Sequence, residues 1–391
     1  MNIFSIQPLF PDDAANTLAD LSADLLTKSG YLAGAMRPQT QQGVADLVRT
    51  MNCYYSNLIE GHRTTPREID DALRDSYSDD PKKKNLQLEA RQHIETQKKI
   101  DSGDLIAENP ASDQLLKGIH FEFCTGLPEE MLAISNPDSG KKVTVIPGHF
   151  RDDEVKVGQH IPPLHTEIPY FMELFSATYD PSKLSKIDAI IAVAASHHRL
   201  VWIHPFADGN GRVARLFSHA YLLKQLGIGC KLWSISRGLA RTSSDYKMRL
   251  AAADDARHGD YDGRGALSDK QLFRFCSYFL ECCIDQIDYM TRMIDPKSLE
   301  ERIVSYCLYE ISAGNLPKTS DLVLRTALTN GQLDRGEMPR ITGYQERRAR
   351  DVLTALIKKN LLVSTGPRKP VRLGFPVDVA DRWFPKLYAP E

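Results

Sequence analysis

Residues 204–215 constrain the fold more than any other stretch of the chain. An apolar segment with helical periodicity, residues 182–200, ends just before them, and a second one, residues 210–226, begins within them. Gly209 and Gly211 lie between the two segments, and glycine permits a tight turn and a close approach of the backbone. The stretch therefore predicts two helices that meet at a glycine-rich loop.

The start of the second predicted helix is suited to bind an anion. Its first backbone N–H groups have no partner within the helix, and the helix dipole favours negative charge beside them. Arg212 and Arg215 are three residues apart, so both guanidinium groups lie on one helix face. We expect the side chain of Asn210 to add amide donors to the same place. Together these groups predict a polyphosphate site.

Two further residues of the loop add chemistry to the predicted anion site. His204 can accept a proton near neutral pH, as a general base must. Asp208 supplies a hard oxygen ligand, and Mg²⁺ in nucleotide sites is usually held by one or two carboxylates together with phosphates. A base, a metal ligand, an anion site and two arginines within one loop predict phosphoryl or nucleotidyl transfer.

Residues 204–215, HPFADGNGRVAR, resemble the Fic family signature His-Pro-Phe-x-Asp/Glu-Gly-Asn-Gly-Arg-x-x-Arg at every fixed position. The resemblance implies transfer of AMP from ATP, with Mg²⁺, to a Ser, Thr or Tyr hydroxyl of a target protein. His204 would deprotonate the hydroxyl, Asp208 would hold Mg²⁺, and Arg215 would bind the γ-phosphate. The groups around the α- and β-phosphates would be Gly209, Asn210, Gly211 and Arg212. Phe206 would point inward and anchor the loop.

A second motif lies upstream of the loop. Residues 56–61, SNLIEG, resemble the Fic inhibitory motif Ser/Thr-x-x-x-Glu-Gly/Asn of the subclass with an N-terminal inhibitory helix. The resemblance implies that Glu60 pairs with Arg215, so that the arginine cannot receive the γ-phosphate. Ser56, one helical turn earlier, is placed to hydrogen-bond near the same site, and Gly61 would end the helix. We therefore expect an enzyme that is restrained at rest.

Two weaker patterns fit the same family. Valines and a phenylalanine between residues 143 and 157, interrupted by two turn signals, predict a short β-hairpin. It resembles the Fic flap, which implies that residues 148–157 hold a target protein by strand addition; a plain surface hairpin is the alternative. Residues 243–246 resemble the border of the adenine pocket, which makes Tyr246 a candidate nucleotide contact. Core packing is the alternative for this tyrosine.

The whole chain is expected to be mainly α, with a Fic-type helical bundle, a hairpin flap and a C-terminal winged-helix-like domain. We expect an N-terminal helical region at 1–111, the Fic core at 112–292 and the winged-helix-like domain at 297–391. The last of these follows from three predicted helices, at 298–313, about 319–328 and about 342–359, and a small hairpin after them.

The C-terminal domain has a local excess of positive charge. Between residues 341 and 372 there are eight basic and two acidic residues. A basic third helix and a basic wing would bind DNA phosphates; a protein-binding or dimerising domain with a solvated basic face is the alternative. The net charge of the chain is only -2, which excludes nucleic-acid binding by the molecule as a whole.

The remaining features point to a cytoplasmic protein. The seven cysteines show no zinc-site spacing, so we expect reduced thiols. No apolar stretch approaches the roughly 18 residues of a membrane span, and the N-terminus does not resemble a signal peptide. Because small Fic proteins often associate, a homodimer is also expected.

Two other functions stay open at this point. The same fold could transfer another nucleotide or phosphoryl group, or remove AMP from a target with the help of Glu60. A function of a different class is a DNA-binding regulator whose Fic core senses a nucleotide without transferring it.

Overall fold

The structure is a computed structural model, and it describes residues 5–135 and 142–388. The helices are α1 (Thr17–Gly34), α2 (Pro38–Ile59), α3 (Pro66–Leu73), α4 (Pro81–Ser102), α5 (Asp113–Thr125), α6 (Glu129–Leu132), α7 (Ile168–Thr178), α8 (Lys186–Ile203), α9 (Asn210–Leu226), α10 (Ile235–Arg241), α11 (Ser243–Ala252), α12 (Asp269–Ile294), α13 (Pro296–Ser312), α14 (Ser320–Asn330), α15 (Met338–Thr342), α16 (Glu346–Lys358) and α17 (Val377–Trp383). The strands are β1 (Ala133–Ser135), β2 (Lys142–Thr144), β3 (Leu362–Val363) and β4 (Arg372–Leu373). The mainly α fold predicted from the sequence is confirmed.

Helix α8 forms the centre of the bundle. Almost every side chain from Ala189 to Ile203 is buried, since α1, α7, α9 and α12 pack around the helix. The alanines of α8 let these neighbours approach closely. Although α8 is apolar on most sides, no helix in the described residues is long and apolar enough to span a membrane. The buried α8–α9 pair fixes the loop between the two helices at one end of the bundle.

The predicted helices around the loop are present, with small shifts at their ends. The helix expected at 182–200 begins at Lys186, because the side chain of Ser185 caps it by accepting from the N–H of Asp188. The helix expected at 210–226 has those bounds as α9. The sequence pattern therefore located the loop between these two helices correctly.

The hairpin predicted between residues 143 and 157 is wrong in position. Strand β1 pairs with β2, with Ile134 opposite Val143, so the hairpin lies one strand earlier in the chain. Its turn, residues 136–141, lies outside the described residues. Residues 146–157 form no strand, because Gly148 is held against α5 instead: its N–H donates to His120 Nδ1 at 2.9 Å. The flap expected at 148–157 is therefore assigned to β1 and β2.

The C-terminal region has helices followed by a hairpin, as expected, but its third helix differs. The segment predicted at 342–359 is two helices, because Gly343 adopts φ 68° and ends α15 before α16 begins. Strand β3 pairs with β4, and Leu333 forms a further antiparallel bridge with Val371. Along the chain the order is α14, the bridge at Leu333, α15, α16, β3 and β4, and the winged-helix-like domain stays a prediction.

The C-terminal region packs directly on α2, the helix that carries the predicted inhibitory motif. The hydroxyl of Tyr55 on α2 donates to the backbone carbonyl of Leu387 at 2.9 Å. Arg372 of β4 forms an ion pair with Asp46 of α2 at 3.2 Å. The linker expected before residue 297 is only Asp295, whose side chain caps α13. Helix α2, which carries the predicted inhibitory motif at its end, is thus in contact with the C-terminal region.

Candidate active site

The loop between α8 and α9 is short, and a buried aromatic side chain of the loop holds it against the core. His204 ends α8 in the left-handed conformation, φ 50°, and Gly209 precedes α9 with φ 78°. The ring of Phe206 is buried and stacks on His120, with centroids 4.0 Å apart. Phe206 therefore anchors the loop from the inside, as the sequence resemblance implied.

The side chain of Asn210 closes the loop. Its Oδ1 accepts from the N–H of Phe206 at 2.9 Å, and its Nδ2 donates to the carbonyl of Phe206 at 2.8 Å. The second hydrogen on Nδ2 is not used in these bonds, so contact of Asn210 with a phosphate stays a prediction. The backbone N–H groups at the start of α9 remain as donors for an anion.

His204 is in a state that suits a general base. Its imidazole is partly exposed, and Nδ1 lies 3.3 Å from the carbonyl of Val201. A proton on Nδ1 that is donated to this carbonyl leaves Nε2 as an acceptor. Burial lowers the pKa of His204 to about 4, so the ring is neutral at pH 7.

Asp208 presents a carboxylate at the mouth of the site. Its side chain is about half exposed (49%), and Oδ1 accepts from the N–H of Gly209 at 2.6 Å. Burial raises the pKa of Asp208 above its usual value. In the described residues no group of three or more His, Cys, Asp or Glu side chains converges as a metal site. A cation at Asp208 would therefore take its other ligands from phosphates and water, which is the habit of Mg²⁺.

Arg215 is fully engaged by α2. Its Nη2 lies 2.6 Å from Glu60 Oε1 and donates to the carbonyl of Ser56 at 3.2 Å. Its Nε donates to Ser56 Oγ at 2.9 Å. The structure therefore brings together the three residues that the two sequence motifs predicted to meet. Gly61, with φ 82°, lies just past the end of α2, as expected.

The carboxylate of Glu60 also lies against the first turn of α9. A Cβ atom placed on Gly211 would be only 2.4 Å from Glu60 Oε1, so only glycine leaves room for the carboxylate there. Burial alone would raise the pKa of Glu60, but Arg215 and Arg212 outweigh it and hold the pKa below its usual value. Glu60 is therefore an anion in the place where the sequence predicts a phosphate.

Arg212 has a partner that the sequence did not reveal. It forms an ion pair with Glu89 of α4, whose side chain is 1% exposed. Glu89 Oε2 is also 2.6 Å from His62 Nδ1. Helix α4 is long and mostly polar, and nothing in its sequence pattern separates Glu89 from the carboxylates on its surface. Only tertiary packing identifies this residue.

Tyr246 lies deeper than the sequence suggested. Its side chain is buried, and its hydroxyl is 2.8 Å from His197 Nε2. His197 Nδ1 is in turn 2.8 Å from Ser218 Oγ, so both ring nitrogens of this histidine are used within the core. His197 is therefore a bonded residue of the core. Contact of Tyr246 with a nucleotide stays a prediction.

Two clefts lie in the region of the candidate active site. The first, of about 320 Å³, has the hairpin and the chain at 154–157 on its walls and His204, Asp208 and Glu60 at its base. The second, of about 410 Å³, lies between α2 and residues 240–245, with Tyr55 among its walls. The second cleft borders the segment that was predicted to line an adenine pocket. Helix α2 contributes to both clefts.

Comparison with known proteins agrees with this geometry. Residues 111–222 match the model of the Fic/DOC family. The protein adenylyltransferase Fic of Drosophila erecta is 38% identical over 77 residues, which are 20% of this chain and 16% of that protein. The same protein of Drosophila melanogaster is 38% identical over an alignment of the same extent. The chain thus matches about a sixth of the length of these curated relatives.

Solved structures show the same fold. A Fic family protein from Desulfovibrio desulfuricans G20 has a TM-score of 0.55 at 16% identity, covering 94% of this chain and 98% of that one. A Fic domain containing signaling protein from Bacteroides thetaiotaomicron has a TM-score of 0.50 at 19% identity, covering 69% of this chain and 95% of that one. With the matched loop and the family model, these likenesses lead to one conclusion: residues 111–222 form a domain of the Fic/DOC family.

Proposed function

We propose that this protein transfers AMP from ATP to a hydroxyl group of a target protein. The observation that carries the proposal is the position of His204, a neutral base at the foot of a cleft that ends on the first turn of α9. A proton acceptor and a helix N-terminus beside it form the two halves of a nucleotidyl-transfer site.

In the proposed reaction the hydroxyl oxygen attacks the α-phosphorus of ATP. A bond forms between that oxygen and the α-phosphorus, the bond from the α-phosphorus to the bridging oxygen breaks, and pyrophosphate leaves. His204 Nε2 receives the hydroxyl proton. The backbone N–H groups of Gly211 and Arg212 stabilise the charge that develops on the phosphates. These residues fit a polyphosphate because Gly211 has no side chain to fill the cradle.

Asp208 is the residue proposed to hold Mg²⁺. Its half-exposed carboxylate lies beside the first turn of α9, where the α- and β-phosphates would be. Mg²⁺ bound there would neutralise phosphate charge. The nucleoside would occupy the cleft between α2 and residues 240–245, whose volume of about 410 Å³ suits adenosine.

The target protein is proposed to dock on the hairpin. A two-stranded sheet leaves unpaired N–H and C=O groups along its outer edges, and an extended peptide can add to such an edge. The hairpin residues Ile134 and Val143 line the same cleft as His204. A hydroxyl side chain of an added strand would therefore enter the cleft towards the base.

Glu60 is proposed to restrain the enzyme at rest. Its carboxylate holds Arg215 at 2.6 Å and fills the space beside Gly211, so the γ-phosphate and Glu60 compete for one arginine. ATP that binds beside Glu60 would have misplaced phosphates, and an error of about 1 Å costs on the order of 100-fold in rate. Removal of AMP from a modified target with the help of Glu60 is the alternative use of the same contact.

The test compares the wild-type chain, Glu60→Gly and Glu60→Gly/His204→Ala with labelled ATP, Mg²⁺ and cell lysate. We expect little labelling with wild type, strong labelling with Glu60→Gly and none with the double variant. Equal labelling by wild type and Glu60→Gly would contradict the restraint. Loss of AMP from a pre-labelled target, dependent on Glu60, would favour the removal reaction.

A second candidate function is DNA binding by the C-terminal region. The helix α16 and the loop between β3 and β4 carry basic side chains that are exposed and have no ion-pair partner in the described part of the chain: Arg347, Arg350, Lys358, Lys359, Arg368 and Lys369. In a winged helix-turn-helix these are the two elements that meet DNA. Gel retardation of duplex DNA by the full chain, lost in Arg350→Glu and weakened by salt, would support it. No retardation at low salt would exclude it.

A further inference from the structure

The two arginines of the active-site helix are held by carboxylates from two different helices. Glu60, at the end of α2, pairs with Arg215. Glu89, in the middle of α4, pairs with Arg212. The first pairing follows from the sequence motifs, whereas the second has no counterpart in them. Helix α4 also lies outside residues 111–222, which match the family model.

The two pairs differ in how readily they can open. The side chain of Glu60 is 31% exposed and lies at a helix end, so unwinding one turn of α2 would remove it. Glu89 is 1% exposed, and the side chain of Arg212 is 8% exposed. Breaking a buried ion pair leaves an uncompensated charge, which costs far more than opening an exposed pair. Arg215 is itself only 1% exposed, so the difference lies in the carboxylates: Glu60 can turn to solvent, whereas Glu89 is enclosed.

The pair with Glu89 orients the guanidinium of Arg212. One terminal nitrogen, Nη1, faces Glu89 on α4, and the other, Nη2, lies 3.9 Å from Asp208 Oδ1. The guanidinium carbon Cζ lies over the ring of Phe123, 5.2 Å from its centroid. Because Glu89 takes one edge of the group, the remaining edge is presented towards Asp208. That is the side on which the phosphates and Mg²⁺ are proposed to bind.

Glu89 also contacts the end of the inhibitory helix. Its second oxygen, Oε2, is 2.6 Å from Nδ1 of His62, which lies two residues after Glu60. The N–H of His62 donates to the carbonyl of Asn57 at 2.9 Å, so the histidine continues the turn that ends α2. One buried carboxylate is thus bonded both to a phosphate-binding arginine and to the segment that carries Glu60.

We propose that Glu89 is a positioning residue with two effects on nucleotidyl transfer. It fixes Arg212 for the α- and β-phosphates, and through His62 it holds the end of α2 so that Glu60 stays on Arg215. The inference rests on the proposed function, because it assumes that a nucleotide binds at the start of α9. Glu89 itself touches neither the nucleotide nor the reacting atoms.

The test of the first effect uses Glu60→Gly as the reference, so that restraint does not mask binding. Calorimetry with ADP and with AMP compares the reference, Glu60→Gly/Glu89→Gln and Glu60→Gly/Glu95→Gln. Glu95 is the matched control, since it is a carboxylate on the same helix in a surface pair with Lys98. We expect Glu89→Gln to weaken ADP binding about tenfold and AMP binding clearly less, because ADP carries both of the phosphates that Arg212 is proposed to bind and AMP carries only one. The control should change neither.

The ratio of the two affinities separates positioning from general damage. A variant that only loosens the fold weakens ADP and AMP alike, and an unchanged ratio would overturn the proposal. Should Glu89→Gln not fold, Glu89→Asp keeps the charge and moves the carboxylate back by one methylene. We expect it to shift the ratio in the same direction, by about threefold, and no shift would again overturn the proposal. If the Glu60→Gly reference binds neither nucleotide, the result contradicts the proposed function itself and not only the role of Glu89.

The second effect is measured in the chain that retains Glu60. We expect His62→Ala to raise AMP transfer about tenfold over wild type, since it removes the bond that holds the end of α2. His62→Gln, which can still donate to Glu89, should restore most of the restraint. Transfer by His62→Ala at the wild-type level would overturn this half of the proposal.

Discussion

Glu60 and Arg215 form an ion pair across the cleft at 2.6 Å, with the carboxylate lying over the first turn of α9. The same carboxylate thus meets two groups that a triphosphate would need, a guanidinium and a helix N-terminus. Because the two proposed sites coincide, we expect Glu60 and the γ-phosphate to compete for one place. Substitutions at this shared place, and at the buried groups around it, should therefore change AMP transfer or stability.

Gly211→Ala should reduce AMP transfer even when Glu60 has been removed. An alanine Cβ at this position would fill the cradle in which Glu60 Oε1 lies, 2.4 Å away. Since residue 211 is within a helix, alanine should not lower the free energy of unfolding. We expect transfer by Glu60→Gly/Gly211→Ala to fall at least about tenfold relative to Glu60→Gly, with an unchanged or higher melting temperature. Full transfer by the double variant would show that the phosphates lie elsewhere.

Ser56→Ala should release part of the restraint. Ser56 Oγ accepts from Arg215 Nε at 2.9 Å, and its loss leaves Arg215 held by Glu60 and one carbonyl. A hydrogen bond to a charged donor contributes about 1.5–3 kcal/mol, so transfer should rise about tenfold, less than with Glu60→Gly. Ser56→Thr keeps the hydroxyl and is the control. The account would be contradicted if the two substitutions had the same effect.

Asn210→Ala should destabilise the loop and the fold. It removes two hydrogen bonds to the backbone of Phe206, at 2.9 and 2.8 Å, in a buried position. We expect the free energy of unfolding to fall by about 2–4 kcal/mol in urea denaturation, because both backbone groups lose their partners. Asn210→Asp keeps the acceptor and should lose about half as much. An Asn210→Ala chain as stable as wild type would contradict the proposed contribution of the two Asn210 hydrogen bonds to stability.

Stability should fall as the pH drops below about 6.5, the usual pKa of an unfolded histidine. Burial lowers the pKa of His93 and of His197 to about 3 in the folded chain. The unfolded chain therefore binds more protons between these values, which favours unfolding by roughly 1.4 kcal/mol per pH unit for each histidine. Urea denaturation at pH 7, 6 and 5 measures this slope. His93→Leu should reduce it, and a flat profile in the wild type would contradict the burial of neutral histidines.

Some of this site could be predicted from sequence and some could not. Residues 204–215 are contiguous, so their chemistry and the start of α9 follow from local pattern alone. The meeting of Glu60 with Arg215 also followed from two recognisable motifs. Glu89 did not, because its pairing with Arg212 depends on how α4 packs against α9. A carboxylate in a polar helix carries no local sign of burial.

Tertiary hydrogen bonds explain one error and one contact that the sequence does not show. The segment 146–157 contains β-forming residues, yet Gly148 is held by His120 and the segment forms no strand. Asn210 is predicted to face an anion, yet its amide is also bonded to the backbone of Phe206 through both its oxygen and its nitrogen. In the first case a tertiary hydrogen bond overrides a local preference. Such bonds cannot be predicted from the sequence, because they depend on which residues the fold brings together.

The central claim is that the α-phosphorus of ATP is the atom attacked at His204. Parallel incubations of the Glu60→Gly chain with lysate and with ATP labelled on either the α- or the γ-phosphate test it most directly. The account predicts protein labelling from α-labelled ATP, no labelling from γ-labelled ATP, and loss of the α-label in Glu60→Gly/His204→Ala. Labelling from γ-labelled ATP alone would mean phosphate transfer, and labelling that survives without His204 would contradict the assigned base.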